Sequence, residues 1–151
     1  MATFVDESDP VAQMRKLLVT NWKGFHETNM PQILVANDPE DPRVRADLNY
    51  GDVIVIRQDG LEQLRQRYNF TYYDRIFPMQ IEIYTKKSRQ RMRNLGKMVR
   101  AIINDNIHSF PSYQLIRYRG QDEAIEDNLN IWRARFRFQL ESNAVCVETL
   151  E

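Results

Sequence analysis

Between positions 132 and 140 the chain alternates without interruption. Trp132, Ala134, Phe136, Phe138 and Leu140 fall on one parity, and Arg133, Arg135, Arg137 and Gln139 on the other. A period of two belongs to a β-strand, because a helix would scatter the apolar groups around its axis. Burying each large apolar group is worth about 1.5–3 kcal/mol, so the strand requires a sheet with one covered face. The opposite face sets its own condition. Three like charges on one strand face repel unless neighbouring strands, or a partner, supply carboxylates; Glu82, on another predicted strand, is such a neighbour within the chain.

Two helices are predicted to supply the cover. Over 9–24, Asp9 caps, Pro10 takes the first helical position and Gly24 follows Trp22 and Lys23; Val11, Met14, Leu17, Leu18 and Trp22 form one apolar stripe. From Ser88 as cap, Met92, Leu95, Val99, Ile102 and Ile103 form the stripe of a second helix ending near Asn106, before Pro111. Strands are predicted at 32–36 after Pro31 and at 52–57, where Val53, Ile54, Val55 and Ile56 read as buried on both faces before the turn residues Asp59 and Gly60. Further strands are predicted in the second half of 70–85, with Pro78 at its start and half-buried alternation over 79–84, at 113–118 closed by Gly120, and through the alternating stretch. The polar 61–68 segment reads as a short helix or an excursion, and the acidic 122–127 stretch as a solvated loop. The 58–69 loop and the 143–151 tail are too polar for core, and at least one of them is expected to order only on assembly. The expected fold is α+β: a single domain over 1–151, with a mixed, mostly antiparallel sheet, two main helices and the order α-β-β-β-α-β-β.

Composition excludes most catalytic chemistry. Cys146 is the only cysteine, so an intramolecular disulfide and a cysteine-based zinc site are ruled out and a reducing compartment is expected. His26 and His108, the only histidines, fall in predicted turns or helix ends. The carboxylates Asp38, Glu40, Asp41, Asp47 and Asp52 match no calcium-loop spacing, and Pro39 and Pro42 explain that segment as a rigid turn. Glu82 is followed by Ile83 and Tyr84, so the lysine of a Glu-x-Lys nuclease site is missing. With five glycines there is neither a phosphate-binding loop nor a nucleophile elbow. No enzyme activity, metal or cofactor is expected. No apolar run reaches the roughly 18 residues of a membrane span, and acids stand where a signal peptide is basic, so the protein is expected to act in solution.

The charges balance at 21 of each sign, which makes their clustering the informative feature. Lys86, Lys87, Arg89, Arg91, Arg93, Lys97 and Arg100 form a block with no acid in it. Several lie at the start of the second helix, where the macrodipole disfavours cations. Together with Arg133, Arg135 and Arg137 and the acids Asp122, Glu123, Glu126 and Asp127, they are the candidate interface. A solvated helix face partly neutralised by those acids is the plainer alternative. Tyr113, Tyr118 and Trp132 interleave with the charges, which leaves an alternative in which the 86–100 block binds nucleic acid, although no RNP-type motif accompanies it.

The helix VAQMRKLLVTNW, the strand DVIVIR after a Pro- and Asp-rich loop, the strand MQIEIYT leading into SRQRMRNLGKMVRAIINDN, and the closing IWRARFRFQLE together resemble, in order and patterning over nearly the whole chain, the tail terminator and head-to-tail joining proteins of long-tailed phages and related archaeal viruses. The resemblance implies a virion protein, assembled in the host cytoplasm, that forms a ring commonly of six subunits. Its implied partners are other copies of itself, the tail tube protein and a head-completion or neck protein, with contact to DNA in the ring channel compatible with it and no membrane involved. In a ring one face of a subunit meets a different face of the next, so the charged surfaces would meet acidic segments of a neighbour or of the tube protein. Reversing Arg89, Arg91 and Arg93 to Glu is then expected to abolish assembly and leave the monomer folded.

Overall fold

The computed structural model describes residues 9–22, 30–35, 51–66, 72–106, 115–126 and 130–146. The elements are α1 (Pro10–Trp22), β1 (Gln32–Val35), β2 (Val53–Gln58), β3 (Gln63–Gln66), β4 (Tyr72–Thr85), α2 (Arg89–Asn106), β5 (Leu115–Glu126) and β6 (Ile131–Cys146). The α+β class and the two helices are as expected; the order gains one strand.

Both helices begin where the sequence places their caps. The Val11 amide donates to Asp9 Oδ1 at 3.0 Å, and the Arg91 amide donates to Ser88 Oγ at 3.0 Å. Val11, Met14, Leu18 and Trp22 of α1 are buried, as are Met92, Leu95, Val99, Ile102 and Ile103 of α2. α1 packs on β1, β2 and α2, while α2 packs on β4 and β6.

The sheet has six strands in the order β1-β2-β4-β6-β5, with β3 also paired to β4. β1 and β2 are parallel, and every other pair is antiparallel. The register aligns Ile54, Ile83 and Ala134, then Ile56, Ile81 and Phe136, as ranks across the face that meets the helices. Phe136 and Phe138 stack with centroids 6.4 Å apart, and Tyr118 meets Phe138 edge-on at 4.9 Å.

Five expectations are corrected. The 61–68 segment contributes a strand, β3, which bonds the same side of β4 as β2 and runs in the same direction. Gln58 and Gln63 are five positions apart, whereas their partners Met79 and Ile76 are three apart. Asp59 and Gly60 therefore interrupt one line of strand instead of reversing the chain, with Gly60 taking the positive φ of 108°. Pro78 lies inside β4, opposite this interruption, and its carbonyl accepts the Asp59 amide at 3.0 Å. A strand residue turns its N and its C=O to the same side, so the missing N–H faces the interruption and β6 loses no ladder bond. The acids at 122–126 continue β5 past a register shift between Tyr118 and Gly120, and are not a loop; Asp127 lies outside the described residues. Finally, the strand at 79–84 is buried on both faces, because Gln80, Glu82 and Tyr84 are enclosed as well. β6 also runs on through Cys146, so Val145 and Cys146 of the expected tail pair with β4, while 147–151 lie outside the described residues.

Candidate functional site

The sheet face turned away from the helices carries a cluster of charged residues. Because the side-chain period is two, Arg57, Gln80, Glu82, Tyr84, Arg133, Arg135 and Arg137 all share it. Val53, Val55, Tyr84 and Ile131 form a second buried cluster there, with Leu34 against it. Glu82 is the centre of the charged group. Its register partners are Val55 on β2 and Arg135 on β6. Gln80 Nε2 donates to Oε1 at 2.6 Å, Arg57 Nε lies 2.8 Å from the same oxygen, and the Tyr84 hydroxyl donates to Oε2. Burial first, then this hydrogen bond and the carboxylate charge, push the Tyr84 hydroxyl well above the ordinary tyrosine range, while Arg57 and Arg133 act the other way.

Among the described residues, the arginine row finds its carboxylates only in part. Arg135 Nη1 lies 4.0 Å from Asp122 Oδ2, and Arg137 Nε lies 4.0 Å from Asp59 Oδ2, both at the outer limit of an ion pair. Glu82 stands opposite Arg135 on the ladder, but its oxygens are engaged by Arg57, Gln80 and Tyr84. Arg117 pairs with Glu141 at 3.1 Å at the sheet margin. Beside Arg137, the interruption between β2 and β3 forms an open depression of about 330 Å³, lined among others by Asp59, Gln63, Arg119 and Gln139.

The basic block is largely engaged within the fold. Asp52, singled out in the sequence only as a carboxylate, is buried and accepts Thr85 Oγ1 at 2.6 Å and Arg91 Nε at 2.8 Å, with Lys87 Nζ 3.7 Å away. Arg93 reaches Glu123 at 3.3 Å. The Arg89 guanidinium lies over the Trp132 ring at 4.8 Å, and that of Arg100 over Phe136 at 5.5 Å. Trp132 and Tyr118 accordingly rest against the fold. Lys86 and Lys97 are exposed. His26, His108, Tyr113, Asp38, Glu40, Asp41 and Asp47 lie outside the described residues. No helix among the described residues is long and apolar enough to cross a membrane.

Sequence reasoning placed Glu82 near the arginine row but missed Arg57, Gln80 and Tyr84. The signal for Arg57 was its position at the end of a run buried on both faces. Its meaning appears only when the strand order puts β4 between β2 and β6.

The chain matches no protein-family model, and no curated protein matches it either. Among solved structures it is similar to a chain of a structure described as "Virion of native gene transfer agent (GTA) particle", at 10% identity over 93% of this chain and 90% of that one, with a TM-score of 0.44.

Proposed function

We propose that this chain is a non-enzymatic structural component of a phage-like virion, a ring-forming protein that caps the tail tube and joins it to the head or neck. The order and patterning of its elements support the reading. The observation that carries it is the open edge of β5, which among the described residues bonds only β6 along Leu115–Glu126. Leu115, Tyr118 and Ile125 are 42%, 41% and 40% exposed on that strand. Such an edge is a template for another chain, and in a ring a different surface of the next subunit meets it. The charged residues beside it, Arg93, Asp122 and Glu123, flank the same contact.

The internal pairing of the basic block changes which substitutions are informative. Reversing Arg91 strips buried Asp52 of a partner and destabilises the monomer itself, so the reversal is better placed at exposed Lys97 and at Ile125→Lys on the β5 edge. Light scattering on the purified protein is expected to give a discrete oligomer near about six subunits, unaffected by a DNA duplex or single strand, with Ile125→Lys shifting it to monomer. A monomer that moves onto nucleic acid at low salt, with affinity falling log-linearly as salt rises and weakened by Lys97→Glu, would replace this reading with that of a nucleic-acid-binding module using the 86–100 block.

A further inference from the structure

Leu61 is 85% exposed, more than any other large apolar side chain among the described residues. It lines the open depression of about 330 Å³ at the interruption between β2 and β3, together with the apolar Ile76 and Pro78 and the charged Asp59, Arg119 and Arg137. The backbone around it is pinned. The Asp59 amide donates to the Pro78 carbonyl at 3.0 Å, and Gln58 Nε2 donates to the Gly60 carbonyl at 2.7 Å. The depression is therefore formed before anything occupies it.

Its charges do not balance. Arg137 meets Asp59 only at 4.0 Å, with both side chains nearly half exposed. Arg119, the extra residue at the register shift of β5, is exposed and has no ion pair among the described residues. The neighbouring pairs Arg117–Glu141 and Arg75–Glu62 neutralise themselves, so the lining keeps one positive charge in excess. Its complement is one carboxylate beside an aliphatic group. A depression so small and open does not enclose a free ligand, which ordinarily buries most of its surface; it suits side chains presented by a larger surface. The second half of β5 presents them. Ile125 is 40% exposed, and Asp122, 49% exposed, is held only by Arg135 at 4.0 Å, whereas Glu123 is engaged by Arg93 at 3.3 Å. Within one chain Ile125 cannot reach the depression. It stands opposite Trp132, and Trp132 opposite Thr85, seven positions along β4 from Pro78 and so about 23 Å away.

We propose that the depression of one copy of this chain receives β5 of the next, with Ile125 against Leu61 and Pro78 and Asp122 toward Arg119. The inference rests on the reading of β5 as the edge through which a ring forms, and it names the second, different surface that a heterologous contact requires.

The test is a swap between the two surfaces, read by light scattering on the full chain. Leu61→Glu and Ile125→Lys alter exposed side chains, so each variant is expected to keep the wild-type circular dichroism and to lose the wild-type oligomer. Mixed one to one they are expected to regain it, because Lys at 125 of one variant then faces Glu at 61 of the other, and the alternate contacts are wild type. Arg119→Asp, which sets a like charge against Asp122 of the next copy, is expected to raise the concentration of half-assembly at least about tenfold. A wild-type oligomer that Leu61→Glu leaves intact overturns this pairing and spares the ring. So does a mixture that stays monomeric. A wild-type chain that is monomeric at every concentration overturns the pairing together with the self-assembling ring on which it rests.

Discussion

Tyr84 donates to Glu82 from a site that burial has taken out of water, and both the enclosure and the adjacent carboxylate hold its hydroxyl protonated beyond the ordinary tyrosine range. The raised value means that the folded state keeps a proton which the unfolded chain releases above about pH 10. The contribution to stability is therefore complete below that pH and is lost as pH rises toward the folded-state value. Denaturant midpoints measured at about pH 8 and about pH 10.5 are expected to fall for the wild-type chain, and to fall less for Tyr84→Phe, which has no such proton to lose. An equal fall in both would remove Tyr84 as a source of the alkaline sensitivity. The same residue shows the reach of sequence reasoning at this scale. Parity assigns Tyr84, Glu82 and Gln80 to one face, but the burial of that face depends on strands that only the assembled sheet brings alongside.

At the scale of elements, α2 comes close to β6 at Gly96. A Cβ added at Gly96 would stand 2.8 Å from Phe136 Cζ and 3.2 Å from Cε2, against a ring held by Phe138 and beneath Arg100. Gly96→Ala is thus expected to destabilise by about 1–3 kcal/mol through overpacking, offset by up to about 1 kcal/mol of helix propensity. Urea unfolding checks the sign, and a Phe136→Leu background should shrink the penalty. The elements legible in advance were those whose signals are local: Asp9 with Pro10, Ser88, the apolar stripes, and the alternation through 132–140. β3 was not, because Leu64 is the only apolar residue in Gln63–Gln66 and its pairing comes from the length of β4. The acidic half of β5 reads as solvated because it is exposed, but exposure and strand pairing coexist at a sheet edge.

Over the whole molecule, the centre of the sheet is the β4–β6 pair, joined across α2 and β5 and covered on one face by α2. Hydrogen exchange is expected to be slowest at the amides of 79–84 and 132–140 and faster in β3, which lies outside the buried ranks. Protection of β3 equal to that of β2 would contradict this. The fold class was readable because two helical stripes and one strict alternation admit few arrangements. The candidate site was readable only in outline, since the arginine row announces a need for carboxylates without saying where Arg57 enters.

The interruption between β2 and β3 has a bearing on how this protein tolerates changes in length. Its two extra residues already leave the ladder, and Pro78 across from them offers no N–H there. Added residues between Asp59 and Leu61 forfeit no sheet hydrogen bond, and each doubling of that loop costs only about 0.6 kcal/mol in closure entropy. This is the place in the described chain to graft an epitope or a fluorophore while preserving the strand register on either side.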